Sequence, residues 1–174
     1  KTEVSLKAGK LYTVAMVVNQ NGGYKFFLDG QLIYEDKTSP VRFMSNVYQP
    51  NSAQLGQTER SSGMYQYPFT GEIKYFEVYD VPLPDQEAAE KTNKYSPGLS
   101  DEIKSIIDEN SWVRLLNYNI YDDFPSDNGT NNTAVYKDIS QDANTIKSLS
   151  SGAIAAKFKT SDTQGINTIF SLTD

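Results

Sequence analysis

Two tight-turn signals near the N terminus constrain the fold of this sequence more than any other feature. The β-branched run Leu11–Val18 ends at Asn19-Gln-Asn-Gly-Gly23. Asp29-Gly30 then separates Tyr24–Leu28 from Gln31–Tyr34. Asn, Asp and Gly tolerate the positive φ angles that short hairpin turns require. The segment is therefore predicted to form three short antiparallel strands, and it points to an all-β fold.

The same pattern of short strands continues along the chain. Further strand-like runs are Ala53–Gly56, Gly71–Tyr79, Ala153–Lys159 and Ile166–Leu172. Helical patterns are short: one begins at Asp85, an expected N-cap, and runs to about Thr92, and another covers Ser100–Glu109. The 12 Tyr and 8 Phe also suit strands, because aromatic rings pack well on a pleated sheet.

Composition removes several functional classes. The chain has no Cys and no His, which excludes disulfides, thiol nucleophiles, His-containing triads and the usual zinc sites. Its net charge of −6 gives no electrostatic footprint for nucleic acid and no attraction to an anionic membrane surface. No apolar run has the length of a membrane helix. Any anionic ligand must therefore be held by a local cationic site.

Four segments in series resemble the second half of the sialidase-associated lectin domain, carbohydrate-binding module family 40. They are Tyr12–Val18, Gly23–Gln31, Leu55-Gly-Gln-Thr-Glu-Arg60 and Phe69–Asp80. Two tail segments, Ile146–Lys159 and Ile169–Asp174, resemble the first half of the same domain. The resemblance implies a concanavalin-like antiparallel jelly-roll sandwich with one or two short helices.

The two halves stand in reversed order. Residues 1–93 resemble the second half, 94–135 form a helix-containing connector, and 136–174 resemble the first half. A pair of central strands of the family has no counterpart here. Circular permutation, a chain that spans two tandem copies, and a lost central stretch remain open explanations. We expect the two halves to share one sandwich, and the uncovered surface favours a strand-exchanged dimer over closure within one chain.

The resemblance places a ligand site around Arg60, which aligns with the family's carboxylate-binding arginine. A guanidinium suits the carboxylate of sialic acid, and Tyr65 and Tyr67 supply an apolar wall. Glu59 is expected to orient Arg60, and Ile166 to contact the acetyl group, although solvation and core packing are open alternatives for these two. The family's second arginine and its glutamate lie on the absent strands.

Catalytic and metal sites are not expected. Ser161-Asp-Thr-Gln-Gly165 lacks the spacing and the Trp of a sialidase Asp box. A glucanase needs two carboxylates on one strand face, and strict alternation along Gly71–Tyr79 puts Glu72 and Glu77 on opposite faces. Strict alternation also places Ile73 on the same strand face as Tyr75, Glu77 and Tyr79. The acidic residues Asp122, Asp123 and Asp127 are interpreted as a solvated loop, and no cofactor is assigned.

The sequence thus predicts a noncatalytic module of an extracellular or cell-surface bacterial protein. Its expected partners are sialylated glycans, and its expected role is to hold a sialidase near its substrate. The alternative is an adhesive or structural concanavalin-like module that binds another glycan or a protein.

Overall fold

A computed structural model describes residues 4–40, 43–59, 65–66, 69–94, 114–119, 137–161 and 168–173. In this part of the chain the fold is an antiparallel β-sandwich with two short α-helices, as predicted. The strands are β1 Leu11–Val18, β2 Tyr24–Leu28, β3 Gln31–Asp36, β4 Ser52–Leu55, β5 Thr58–Glu59, β6 Tyr65–Gln66, β7 Gly71–Tyr79, β8 Arg114–Asn119, β9 Lys137–Asp138, β10 Gly152–Thr160 and β11 Phe170–Thr173. The helices are α1 Asp85–Lys94 and α2 Ala143–Lys147, with a 3₁₀ turn at Ser140–Asp142.

The strands form one large and one small layer. The large sheet has the order β3-β2-β1-β10-β7-β8, and a small sheet has the order β11-β4-β9. β5 and β6 form a separate two-stranded ribbon. No helix among the described residues is long and apolar enough to cross a membrane.

The two halves of the sequence share one sandwich, as expected, and in the structure they do so within one chain rather than by the strand exchange that the uncovered surface favoured. β10, from the C-terminal part, lies between β1 and β7, and its register runs from Leu11↔Lys159 to Val18↔Gly152 on the β1 side. β11 pairs with β4 from Phe170↔Leu55 to Thr173↔Ser52. Exchange between two chains is therefore not needed to bring the halves together.

The hairpin predicted at Asp29-Gly30 is confirmed. Both residues have positive φ, 46° and 84°, as a two-residue hairpin turn requires. The Asp29 carboxylate accepts a hydrogen bond of 2.8 Å from the backbone N–H of Thr13, which ties the turn to β1. β3 is longer than predicted and reaches Asp36.

A bulge in β7 overturns the predicted alternation of this strand. Lys157 is opposite Tyr75, but the next residue of β10, Phe158, is opposite Ile73, so Lys74 is an extra residue. One extra residue reverses the order of faces beyond it. Ile73 therefore joins the core that contains Phe76 and Val78, and leaves the face that carries Tyr75 and Tyr79.

The large sheet is apolar on both faces. Its inner face, which faces the small sheet, contributes Tyr12, Val18, Phe76, Val78 and Phe158 to a core with Leu55, Ile139 and Ile146. Its outer face packs against α1 through a second cluster that includes Ala15, Val17, Phe27, Leu83 and Ala88. Burial on both faces explains why the strands lack a clear polar alternation.

Helix α1 is fixed to the outer face by polar contacts at each end. Lys25 Nζ lies 2.5 and 2.6 Å from the two carboxylate oxygens of Asp85. The backbone N–H of Gly30 donates to Thr92 Oγ1 at 3.0 Å. The expected N-cap role of Asp85 is wrong, because Asp85 is in the helix and the Pro84 carbonyl accepts the N–H of Ala88 at 2.9 Å. The predicted helix at Ser100–Glu109 lies outside the described residues.

Several elements were not predicted. Three are the two-residue strands β5, β6 and β9. β8 lies within the 94–135 connector and pairs with β7, and α2 with its 3₁₀ turn precedes β10. The predicted strand Ile166–Leu172 is present as β11 from Phe170 to Thr173, while 162–167 lie outside the described residues.

Candidate functional site

The sandwich brings together the bases of the two loops that carry the predicted ligand-binding residues. The first loop leaves β5 and returns to β7, and the second connects β10 with β11. β5 and β6 pair at the base of the first loop, with Thr58↔Gln66 and Glu59↔Tyr65. Across the loops, Thr58 Oγ1 lies 3.0 Å from Thr168 Oγ1. The chain before Arg60 is thus joined directly to the chain after Ile166.

Backbone hydrogen bonds reinforce this junction. The N–H of Gly56 donates to the carbonyl of Ile169 at 2.9 Å, and the N–H of Phe69 donates to the carbonyl of Gly56 at 2.7 Å. The hydroxyl of Ser171 donates to the carbonyl of Gln57 at 2.8 Å. Gly56 therefore touches both the return to β7 and the approach to β11, which holds the two loop bases in one place.

A matching contact fixes the other ends of the same loops. The N–H of Ser161, just after β10, donates to the carbonyl of Thr70 at 2.9 Å, and Thr160 Oγ1 donates to the same carbonyl at 3.2 Å. Phe69 packs edge-on against Phe158, with ring centroids 5.9 Å apart. Both loops therefore leave the sandwich at one end, where β10 finishes and β7 begins.

The predicted ligand-binding side chains lie outside what the structure describes. Arg60, Tyr67 and Ile166 are not among the described residues, and for Glu59 and Tyr65 only the backbone is described. The structure therefore shows where their loops are anchored, and the assignment of these five residues stays a prediction. The acidic residues Asp122, Asp123 and Asp127 are also outside the described part.

A pair of lysines at this end of the sheet was not predicted from the sequence. Lys159, at the end of β10, and Lys74, in the β7 bulge, both form ion pairs with Glu72, the former at 2.5 Å. Hydrogen bonds from Lys159 and then Lys74 hold the pKa of Glu72 below its ordinary value of 4.5. Two lysines therefore share one carboxylate at this edge, in a chain of net charge −6. No local sequence pattern marks this pair, because the bulge that contains Lys74 depends on how β7 pairs with β10.

The bulge also corrects the argument against a glucanase pair. Glu72 is opposite Lys159 and Glu77 is opposite Ala155, so both lie on the outer face of the sheet. Four residues of β10 separate these positions, which is about 13 Å along a strand. Paired glycosidase carboxyls stand about 5–9.5 Å apart. The two glutamates share a face, contrary to the prediction, and each carboxylate has a different lysine partner, Lys159 for Glu72 and Lys91 for Glu77.

Glu77 instead belongs to a buried polar cluster under α1. Lys91 Nζ lies 2.8 Å from Glu77 Oε2, and the Tyr79 hydroxyl donates to the same oxygen at 2.8 Å. The side chains of Glu77 and Lys91 are 3% and 8% exposed. This cluster fastens α1 to the sheet and has no open face among the described residues. No group of acidic side chains in the described ranges is arranged to hold a metal ion.

Comparison with known proteins identifies the first part of the chain. The family model described as "Sialidase, N-terminal domain" matches residues 2–96, which is more than half of the 174 residues. The matched region contains β1 to β7 and α1. No match was found among curated proteins or among solved structures.

Proposed function

We propose that this chain, which belongs to the family of sialidase N-terminal domains, recognises terminal sialic acid on glycans. The family match and the β-sandwich make it a sialidase-associated module. Recognition would hold a sialidase close to its substrate, outside the cell or at the cell surface. A single weak site is sufficient for this role when several modules act together.

The joined loop bases carry the proposal. The Thr58–Thr168 contact and the bonds of Gly56 hold together the loop that contains Arg60 and the loop that contains Ile166. Sialic acid presents a carboxylate and an N-acetyl group, which call for a guanidinium and an apolar contact on neighbouring elements. A pair of loops that start from one anchored edge suits such a ligand.

A noncatalytic role fits the arrangement of the two glutamates of β7. Glu72 is engaged by Lys74 and Lys159, and Glu77 is buried with Lys91. Neither is placed as an acid or a nucleophile. We expect no turnover of a fluorogenic sialoside by the purified chain, and turnover that a point mutation within the chain abolishes would contradict this.

Titration calorimetry with sialyllactose tests the binding role. Arg60→Ala removes a charge-assisted contact that contributes about 1.5–3 kcal/mol per hydrogen bond, so affinity should fall roughly 10-fold or more. Lys37→Ala is the matched control, because Lys37 is a cation whose side chain is 77% exposed on another edge. Circular dichroism and thermal unfolding would establish that both variants fold.

Three outcomes can be distinguished. Loss of binding in Arg60→Ala alone supports the proposal, and equal binding in both folded variants contradicts the site. If the unaltered chain binds no sialoside but retains another ligand on a glycan array, the alternative of an adhesive module for a different glycan is correct. Calorimetry on the two variants therefore tests the assigned site, and the glycan array tests the assigned ligand.

A further inference from the structure

Two tyrosine rings lie against each other on neighbouring strands of the large sheet. Phe26 of β2 is directly opposite Tyr34 of β3, so Tyr24, two residues before Phe26, is the diagonal neighbour of Tyr34 on the same face. The rings of Tyr24 and Tyr34 are stacked, with centroids 5.6 Å apart and planes inclined by 30°. Both side chains are half-buried. The two strands are therefore joined through a contact between two phenols.

Phe26 restricts the positions of both tyrosine rings. Its ring packs edge-on against Tyr24, with centroids 5.7 Å apart and planes at 86°. It is also tilted against Tyr34, with centroids 6.4 Å apart. Edge-on and offset contacts are the favoured arrangements of aromatic pairs. Because Phe26 has no hydroxyl, it fixes the two phenols in place without sharing their chemistry.

The hydroxyl groups of the two tyrosines are also in contact. A hydrogen bond with Tyr34, followed by partial burial, raises the pKa of Tyr24 above its ordinary value of 10.0. Tyr24 therefore keeps its proton at neutral pH. Rings that stack while their hydroxyls touch bring together the ring carbons next to those hydroxyls. These carbons are the positions at which two oxidised phenols join.

We propose that Tyr24 and Tyr34 form a site of oxidative cross-linking, at which hydrogen peroxide and a haem peroxidase join the two rings as dityrosine. Each phenol loses its O–H hydrogen, as one electron and one proton, and becomes a phenoxyl radical. A C–C bond then forms between the carbons next to the two oxygens, and the hydrogen on each carbon moves to its oxygen and restores the phenol. The two electrons and two protons reduce one hydrogen peroxide to two water molecules.

Two other tyrosines show what distinguishes this pair. The ring of Tyr12 lies 6.1 Å from that of Phe158, which has no hydroxyl, and the Tyr12 hydroxyl accepts the backbone N–H of Lys7 at 2.8 Å. Tyr48 is 72% exposed, so its radical would meet a partner on another molecule. Coupling of Tyr24 with Tyr34 needs no encounter between molecules. We therefore expect it to prevail when the chain is dilute.

The cross-link would fasten β3 to β2 in a chain that has no Cys and so no disulfide. It joins positions 24 and 34 across the turn at Asp29-Gly30. A covalent bridge stabilises a fold mainly by restricting the unfolded chain. Thiols do not cleave the C–C bond of dityrosine, in contrast to a disulfide. The inference is independent of sialic acid recognition.

Trypsin separates the two tyrosines, which makes the cross-link measurable. Cleavage after Lys10, Lys25 and Lys37 places Tyr24 in the peptide 11–25 and Tyr34 in the peptide 26–37. The dilute chain is treated with hydrogen peroxide and a haem peroxidase, and the monomer is isolated, denatured and digested. We expect dityrosine fluorescence in the monomer and a linked pair of these peptides, two hydrogens lighter than their sum. Tandem mass spectrometry should place the link at Tyr24 and Tyr34.

Three variants sharpen the test. Tyr24→Phe and Tyr34→Phe keep the ring and remove one hydroxyl, so each should reduce the linked pair to the level found without peroxide. Tyr48→Phe is the matched control, because Tyr48 is an exposed phenol, and it should leave the yield unchanged. The midpoint of urea unfolding should rise for the cross-linked chain and stay constant for peroxide-treated Tyr34→Phe.

Absence of the link from the oxidised monomer, or its presence only in covalent dimers, would overturn the proposal. A link at Tyr12 in place of Tyr24, or a linked pair that persists in Tyr34→Phe, would also overturn it. The unaltered chain alone decides between Tyr12 and Tyr24, so the test holds even if a variant fails to fold. An unchanged midpoint of urea unfolding would contradict the stabilising role.

Discussion

The hydroxyl of Thr58 lies 3.0 Å from the hydroxyl of Thr168, although 110 positions separate them in the sequence. We expect Thr58→Val and Thr168→Val to be coupled in a double-mutant cycle by about 0.5–1.5 kcal/mol, the net value of one hydrogen bond. Urea unfolding of the single and double variants measures the coupling. Strictly additive effects would mean that the two loop bases are held without this contact.

Because the Glu77–Lys91 pair is buried, removing the charge of Lys91 should destabilise the fold far more than removing that of the exposed Lys37. Lys91→Met should lower the free energy of unfolding by about 3–5 kcal/mol, because it leaves a buried carboxylate without its cation. Lys37→Met removes an exposed cation and should have little effect. In the Lys91→Met background, Glu77→Gln should restore part of the loss. Chemical denaturation provides all three values, and equal losses for Lys91→Met and Lys37→Met would contradict burial of the pair.

Asp36 makes part of the stability dependent on acid pH. Hydrogen bonds from the backbone of Thr38, and from the hydroxyl and backbone of Ser39, lower the pKa of Asp36 from 3.8 to about 2. A carboxyl whose pKa is lower in the folded state stabilises the fold above its ordinary pKa and loses that contribution as pH falls. The stability difference between the unaltered chain and Asp36→Asn should therefore shrink between pH 3.8 and about 2. Urea titrations across this range measure it, and a constant difference would contradict the assignment.

The pairing of β10 with β1 of the same chain predicts that an engineered disulfide between these two strands forms within one chain. Leu11 is directly opposite Lys159, and the natural sequence has no Cys. Leu11→Cys combined with Lys159→Cys should therefore form one disulfide within a monomer, as non-reducing electrophoresis and light scattering would report. A disulfide-linked dimer would instead demonstrate the strand exchange that the uncovered surface suggested.

Much of the fold could be predicted because its signals are local. Positive φ at Asp29 and Gly30, and the β-branched run of β1, depend on a few adjacent residues. The bulge at Lys74 could not be predicted in this way. It depends on how β7 meets β10, and β10 lies more than 70 positions away in the sequence.

The candidate site shows the same division. The resemblance around Arg60 selected the loops. The bonds that join the loop bases run between backbone groups of Gly56, Ile169 and Thr70 and partners far away in the sequence, and local patterns do not identify those partners. Asp85 is a case in which a local sequence signal led to a wrong prediction. Its position suggested a helix cap, but the approach of Lys25 from β2 gave its carboxylate a different partner.

The central place of β10 has a consequence for the order in which the molecule can be assembled during synthesis. β1 and β7 flank a strand that is not made until positions 152–160, so both must wait with apolar faces uncovered while more than 70 further residues leave the ribosome. Contacts of such large sequence separation slow folding, and they expose the growing chain to aggregation. The nascent chain should therefore depend on chaperones until positions 152–160 have emerged.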